Sequence, residues 1–344
     1  MDELKRTTVT EDPPNRESPL GILLKDLTPA ELFYIRSNFS VPQLVPEHRI
    51  DVCGAVDNAL SFDLEELRSM ESRDVTVTFE CAGNARLSMV PVPKGTAWGW
   101  GAVSTARFTG VPLRQILGPA GVAETAIEVA FRGADRGSLR GETIAFERSL
   151  PLDVALQDDV LVAWKMNGEP LPLENGAPVR VVVPRWYGVA SVKWLERIAV
   201  LEQPLDAHFQ TERYVYVKDP FEADQTPVTA MRVRSLIASP ADGARLAPEE
   251  LSIEGSAWSG SGAVTAVNIS CDGGNTWVEA ELGEGDGFGL ARRWRLAWTP
   301  PGPGRYRLLS RATDAAGHQQ PLEPIWNELG YGNNLAHRIE VEVA

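Results

Sequence analysis

From Met231 to its end the chain is a succession of short alternating runs cut by glycine and proline, and few folds accept that pattern. Trp294, Leu296 and Trp298 alternate with Arg293, Arg295 and Ala297. Val267, Ile269 and Cys271 alternate with Asn268 and Ser270, and Ile339, Val341 and Val343 close the chain. A period of two is the mark of a half-buried strand. Asp272-Gly273-Gly274 and Pro300 to Gly304 supply the turns. Strands at this spacing predict an immunoglobulin-like sandwich over residues 231–344. A chain of 344 residues is long for one core, so a second domain is expected before it. We place that domain at 21–205. A polar linker at 206–230 follows it, and a mobile tail at 1–20, rich in Pro, Glu, Thr and Arg, precedes it.

The earlier domain reads as α+β, with mixed strands and few helices. Asp63 is positioned to N-cap a helix, with Glu66 as its capping-box partner and Leu64, Leu67 and Met70 on one face. Pro112 opens a second helix whose apolar face is Leu113, Ile116 and Leu117, and Gly118 is expected to stop it. Residues 50–56 are a short strand. Residues 32–46 interleave aromatic and polar residues before prolines and should be extended or looped. Residues 127–140 read as a strand and then a turn-rich loop. Asn167-Gly168 marks a hairpin turn, and Val179, Val181 and Val183 flank Arg180 on a following strand.

One strand ends on a thiol. Val75, Val77, Phe79 and Cys81 alternate with Thr76, Thr78 and Glu80, then Ala82-Gly83-Asn84 turns the chain toward Arg86. A free Cys is often plain core. A nearby guanidinium favours its thiolate, the form that binds metals and attacks substrates. The other cysteines, Cys53 and Cys271, are remote, and no CxxC pair occurs, which disfavours disulfides and zinc. A net charge of −14 argues against nucleic acid and anionic membrane surfaces as partners. The N-terminal residues carry no apolar segment, so a cytoplasmic location is expected, or a periplasmic one if the chain is a processed form.

The string Glu80-Cys81-Ala82-Gly83-Asn84-Ala85-Arg86 resembles the metal-binding segment of the sulfite oxidase family of molybdopterin enzymes, a segment that plant-type nitrate reductases share. Asn167-Gly168-Glu169-Pro170 and the run from Val192 to Ile198 are similar to two further motifs of that family, and Trp258, Trp277 and 324–327 resemble its dimerisation domain. The resemblance implies a molybdenum cofactor with molybdopterin, bound through Cys81 as the sole protein ligand. It implies that Tyr34, Arg36, Asn38, Asp135, Asn175, Arg180, Ser191, Val192 and Lys193 touch the pterin. Arg36, Arg86 and Trp98 would line the substrate, with Trp100 an alternative to Trp98. Asp135 and the tryptophans read equally well as a turn residue and core aromatics.

Two departures bear on substrate. Trp164 is expected to replace a Tyr that reaches toward the metal, and Leu329 to replace an Arg that helps hold sulfite. The resemblance implies oxygen-atom transfer, with sulfite oxidation to sulfate as the leading reaction. Reduction of nitrate or of an S- or N-oxide is the alternative. A two-domain binding protein with an immunoglobulin-like module is the non-enzyme reading. Haem and flavin domains are not expected. Electrons would then pass to a separate partner, a cytochrome being one class, and the chain would form a homodimer through 231–344.

Overall fold

A computed structural model describes residues 4–45 and 47–344. Met1 to Glu3, from the expected tail, and Pro46 lie outside the described residues. Sheet dominates, and the α-helices are short: Leu64–Ser69, Leu113–Ala120 and Leu152–Ala155. No helix among the described residues is long and apolar enough to cross a membrane. The earlier domain holds two five-stranded sheets. One runs in the order Glu169–Pro170, Leu161–Met166, Val103–Pro112, Arg73–Glu80, with Arg180–Val182 paired to Leu161–Met166. The other is mixed: Leu195–Leu201 runs parallel to Ile50–Gly54 and antiparallel to Glu128–Leu139. The later domain stacks a four-stranded sheet on a five-stranded one, and Ile253, Val267, Trp294, Leu308 and Ile339 pack between them. The expected mixed-sheet domain followed by a β-sandwich is therefore what the chain forms.

Local signals explain several elements. Asp63 accepts hydrogen bonds from the Glu65 and Glu66 backbone N–H groups at 2.9 Å, and Glu66 closes the capping box. Asn167 and Gly168 both take positive φ, as a tight hairpin turn requires. The helix after Pro112 runs through Gly118 and ends at Gly121, whose φ of 71° supplies the left-handed cap. Residues 127–140 are not strand then loop. Glu128–Leu139 is one strand, bulged between Arg132 and Arg136 and paired with Glu142–Pro151.

The tail and linker assignments are corrected. Thr7–Thr10 and Asn15–Glu17 form a sheet with Ile35–Arg36. The Asn15 carboxamide holds it, since its Oδ1 accepts from the Arg36 guanidinium at 3.1 Å and from the Ser37 N–H at 3.2 Å. Residues 206–230 are packed rather than loose. The buried Arg148 guanidinium donates to the Phe209 and Val228 carbonyls, and Tyr214, Val215 and Tyr216 are buried. A buried guanidinium has to find acceptors, and this segment supplies them.

The strand Arg73–Glu80 lies at the edge of its sheet, and the later domain covers that edge. The Thr78 N–H donates to the Gly289 carbonyl at 3.1 Å, and the Ala291 N–H donates to Thr78 Oγ1 at 2.8 Å. One residue before Cys81, the fully buried Glu80 carboxylate meets Arg234 Nε at 2.6 Å and accepts from Trp258 Nε1 at 2.9 Å. Removing one member of such a pair leaves a buried charge alone. Arg234→Ala is expected to cost about 3–5 kcal/mol in urea unfolding. The double variant Glu80→Leu/Arg234→Met, which strands neither charge, should recover part of that loss.

Candidate active site

Cys81 stands where the edge strand ends, at a wall common to two cavities. A cleft of about 650 Å³ on one side is lined by Tyr34, Arg36, Asn38, Asp135, Asn175, Arg180, Ser191 and Lys193, among others. A pocket of about 200 Å³ on the other is lined by Arg36, Cys81, Arg86, Thr96, Trp98, Arg213, Tyr214 and Tyr331. Cys81, Arg36 and Tyr214 belong to both.

The cleft's cations are held by neutral acceptors. Arg180 donates to the Asn175 and Ser191 carbonyls at 2.9 Å each, and its guanidinium lies over the rings of Phe79 and Phe108. Burial pulls its pKa down to about 10. Lys193 donates to Ser37 Oγ at 2.8 Å and to the Glu174 carbonyl at 2.9 Å. Burial, helped by Arg180, brings the Lys193 amine down to about 7, although Asp135 opposes the shift. Asp135 reaches the cleft because the strand bulges between Arg132 and Arg136, which re-aims its side chain. Burial raises the Asp135 carboxyl to about 6. Arg36 bonds to Asn38 Oδ1 at 2.6 Å, and Tyr214 Oη is 3.2 Å from the same oxygen.

In the pocket, Arg86 is buried, and its guanidinium donates to the Thr96 carbonyl at 2.7 Å and the Leu329 carbonyl at 3.1 Å. It also lies over the Tyr331 ring, 5.2 Å from the centroid. Its Nε is buried without a partner. Glycines wall it in: a Cβ at Gly83 would sit 2.6 Å from Arg86 Nη2, and one at Gly330 would sit 2.7 Å from Nε. Burial raises the Cys81 thiol pKa, and that effect outweighs Arg36, the Gly83 N–H and Arg86, which lower it. The expectation that Arg86 leaves a free thiolate is thus reversed by desolvation; a metal would have to displace the proton.

Three expected positions fall elsewhere. Trp164 is buried in the main core of the earlier domain and lines neither cavity. It is therefore not a substrate contact, because its strand turns it to the opposite face. The Val192 side chain is also core, and its carbonyl accepts the Val181 N–H at 2.8 Å. Trp100 packs on His337, with ring centroids 4.6 Å apart, which leaves Trp98 as the pocket tryptophan. Leu329 contributes its carbonyl to Arg86. The sequence reading missed Arg213, Tyr214 and Tyr331. Gly330-Tyr331-Gly332, an aromatic between glycines, was the available signal for one of them. Tyr214 has none; its φ of 56° is a left-handed strain that only the structure shows.

A molybdopterin fits these residues. One thiol faces the junction, buried cations without carboxylate partners line the cleft, and an orphaned guanidinium N–H waits in the pocket. Among the described residues no three His, Cys, Asp or Glu side chains gather to form another metal site. Two outcomes are expected. Gly83→Ala must displace the Arg86 guanidinium and should weaken sulfate binding, read by calorimetry, by about tenfold or more. Lys193 accounts for the second. Its folded pKa of about 7 lies below the ordinary 10.5, so cofactor-free protein should lose stability as pH falls from about 10 to 7. Lys193→Met should flatten that part of the profile in thermal unfolding.

Comparison with known proteins places this geometry. Residues 38–209 match the oxidoreductase molybdopterin binding domain, and residues 225–344 match the Mo-co oxidoreductase dimerisation domain. The mitochondrial sulfite oxidase of Rattus norvegicus is 38% identical over 96% of this chain, which spans 64% of that protein's length. The sulfite oxidase of Gallus gallus is 37% identical over 96% of this chain and 76% of its own length. The structure of the sulfane dehydrogenase SoxCD from Paracoccus pantotrophus superposes with a TM-score of 0.85 at 28% identity, covering 97% of this chain and 87% of that one. The chain belongs to the sulfite oxidase family of molybdopterin oxidoreductases.

Proposed function

We propose that the protein oxidises sulfite to sulfate with a molybdenum cofactor and passes the electrons to a separate acceptor. The observation that carries this reading is the junction at Cys81, one thiol shared by a cation-lined cleft and a small pocket that presents Arg36, Arg86 and Arg213. The cofactor, when bound, supplies the two-electron change and the oxygen-atom exchange. Cys81 would ligate its metal, losing a proton as it does so. Arg180 and Lys193 would hold anionic parts of the pterin, with Tyr34, Asn38, Asp135, Asn175 and Ser191 around it.

In the pocket, guanidinium groups would fix the oxygens of a small oxyanion so that its reacting atom faces Cys81. Trp98 is fully buried and Tyr331 nearly so, and these walls exclude water, which strengthens every charge contact inside. The Tyr214 hydroxyl is within reach of the same space, so a hydroxyl is present although Trp164 does not supply one. The names of the similar proteins, sulfite oxidases and a sulfane dehydrogenase, support a sulfur substrate. The match of 225–344 to a dimerisation domain supports a homodimer.

An anaerobic mixing experiment tests the reading. Millimolar sulfite should rapidly bleach the metal–thiolate absorption of the oxidised protein, and Cys81→Ser should lack that absorption. No response to sulfite, with reoxidation of the reduced protein by nitrate or a sulfoxide, would replace this reading with a reductase.

A further inference from the structure

Arg213 is a pocket cation whose side chain makes no hydrogen bond or ion pair among the described residues. Its Nε is shielded from solvent and has no partner. It lines the same 200 Å³ space as Cys81, Arg36 and Arg86. Neighbouring carboxylates do not answer it. Glu212 turns away to Arg140, 3.0 Å off, and lies 3.4 Å from His208, and no Asp or Glu lines the pocket. Arg213 is held in place by its backbone: its N–H donates to the His208 carbonyl at 2.8 Å, closing the helical turn His208–Glu212. Tyr214 then takes a left-handed φ, so consecutive side chains, which would point to opposite faces of an extended segment, both reach the pocket.

We infer that Arg213 is a substrate-contacting residue that sets the pocket's preference for doubly charged oxyanions. Position 329 offers only a carbonyl, which Arg86 already takes. Arg36 and Arg86 likewise spend hydrogen bonds on Asn38 and on the Thr96 and Leu329 carbonyls. Arg213 has all its donors free for a ligand, and a guanidinium in low dielectric gains most from a group that returns charge to it. With a third guanidinium the pocket carries more positive charge than a monoanion neutralises. A dianion such as sulfate, or sulfite in its basic form, answers it better than nitrate. The inference rests on the oxyanion reading of this pocket.

Inorganic sulfate and nitrate are the probes. Wild type, Arg213→Gln, Arg213→Lys and Arg140→Gln, each loaded with cofactor and matched for molybdenum content, are titrated calorimetrically. KM and kcat for sulfite are measured alongside. Arg213→Gln should weaken sulfate binding about 10- to 100-fold and nitrate binding less, because a charge-assisted contact is lost. KM should rise by a similar factor while kcat moves by less than about threefold, the pattern of lost uniform binding. Arg213→Lys should recover part of the affinity, and Arg140→Gln, a charge removed outside the pocket, should change nothing. Sulfate affinity within about twofold of wild type in Arg213→Gln would overturn the inference. So would an equal loss for sulfate and nitrate, or a KM for sulfite that stays unchanged. A wild type that binds sulfate through Arg213 yet does not oxidise sulfite would sink the functional reading and leave this one standing. A wild type that binds no sulfate would sink both.

Discussion

The buried ion pair between Glu80 and Arg234 is the contact on which the rest of the site depends. Both side chains are essentially inaccessible to solvent. Taking two charges out of water costs several kcal/mol per ion, so the pair needs every remaining lone pair filled. Glu80 is well supplied, since Arg234 at 2.6 Å and Asn84 Nδ2 at 3.1 Å share one oxygen and Trp258 Nε1 donates to the other at 2.9 Å, but Arg234 keeps Nε and Nη1 buried without a hydrogen-bond partner. Arg234 and Trp258 come from the later domain, Glu80 and Asn84 from either side of Cys81. The pair is therefore weak as a source of stability and strong as a specifier of register. It sets the sandwich against the strand end that carries the thiol. Asn333 donating to the Ala85 carbonyl at 2.8 Å, and the Gly332 N–H donating to Ala82 O at 2.8 Å, seal the same loop from the same side. Tyr331 lies between those two tethers and the site, which is how a residue of the dimerisation domain comes to wall the pocket.

The second constraint is how positive charge is kept inside. Arg180, Arg86 and Lys193 are satisfied mainly by backbone carbonyls, with a hydroxyl for Lys193, not by carboxylates. Carbonyl dipoles stabilise a cation without cancelling its charge. The pKa directions record the strain: burial lowers Arg86, Arg180 and Lys193 alike. A carboxylate beside each would relieve that strain and abolish the attraction for an anion. By contrast Arg185 and Arg132, away from the cavities, carry carboxylate partners at 2.6 Å and 2.5 Å. Inside the cavities the buried cations thus keep their charge uncancelled, and Arg148, held by the Phe209 and Val228 carbonyls, shows the same arrangement deeper in the fold.

What was legible in the sequence was local. The capping box at Asp63, the hairpin at Asn167-Gly168 and the alternation that ends on Cys81 each occupy a few consecutive residues, where propensity and pattern act directly. Arg36, Arg86 and Arg180 were found because the motifs that carry them are contiguous. What was not legible depends on partners far along the chain. The hairpin at 7–17 looks like a tail until Asn15 meets Arg36, and 206–230 looks like a linker until Arg148 claims its carbonyls. Trp164 failed for the opposite reason. It is the residue left unpaired where the register shifts between Ala163 and Lys165, and it packs with Val162 in a different core from the one that holds Cys81.

Two fields of opposite sign act on an approaching anion, and they differ in range. The whole chain carries −14, a repulsion felt from the surface outward and screened beyond about 8–10 Å at ordinary ionic strength. The pocket's guanidinium groups act only within the cavity, where solvent is excluded and salt screens them much less. Added salt then removes the repulsion before it touches the attraction. Capture of the anion is a short-range event decided by shape and hydrogen bonding, with little contribution from long-range steering. The glycines at 83 and 330 matter for this reason. They let the Arg86 guanidinium approach the pocket wall where any side chain would push it out toward water. In water it would compete with solvent for the same oxygens and lose the advantage that burial provides.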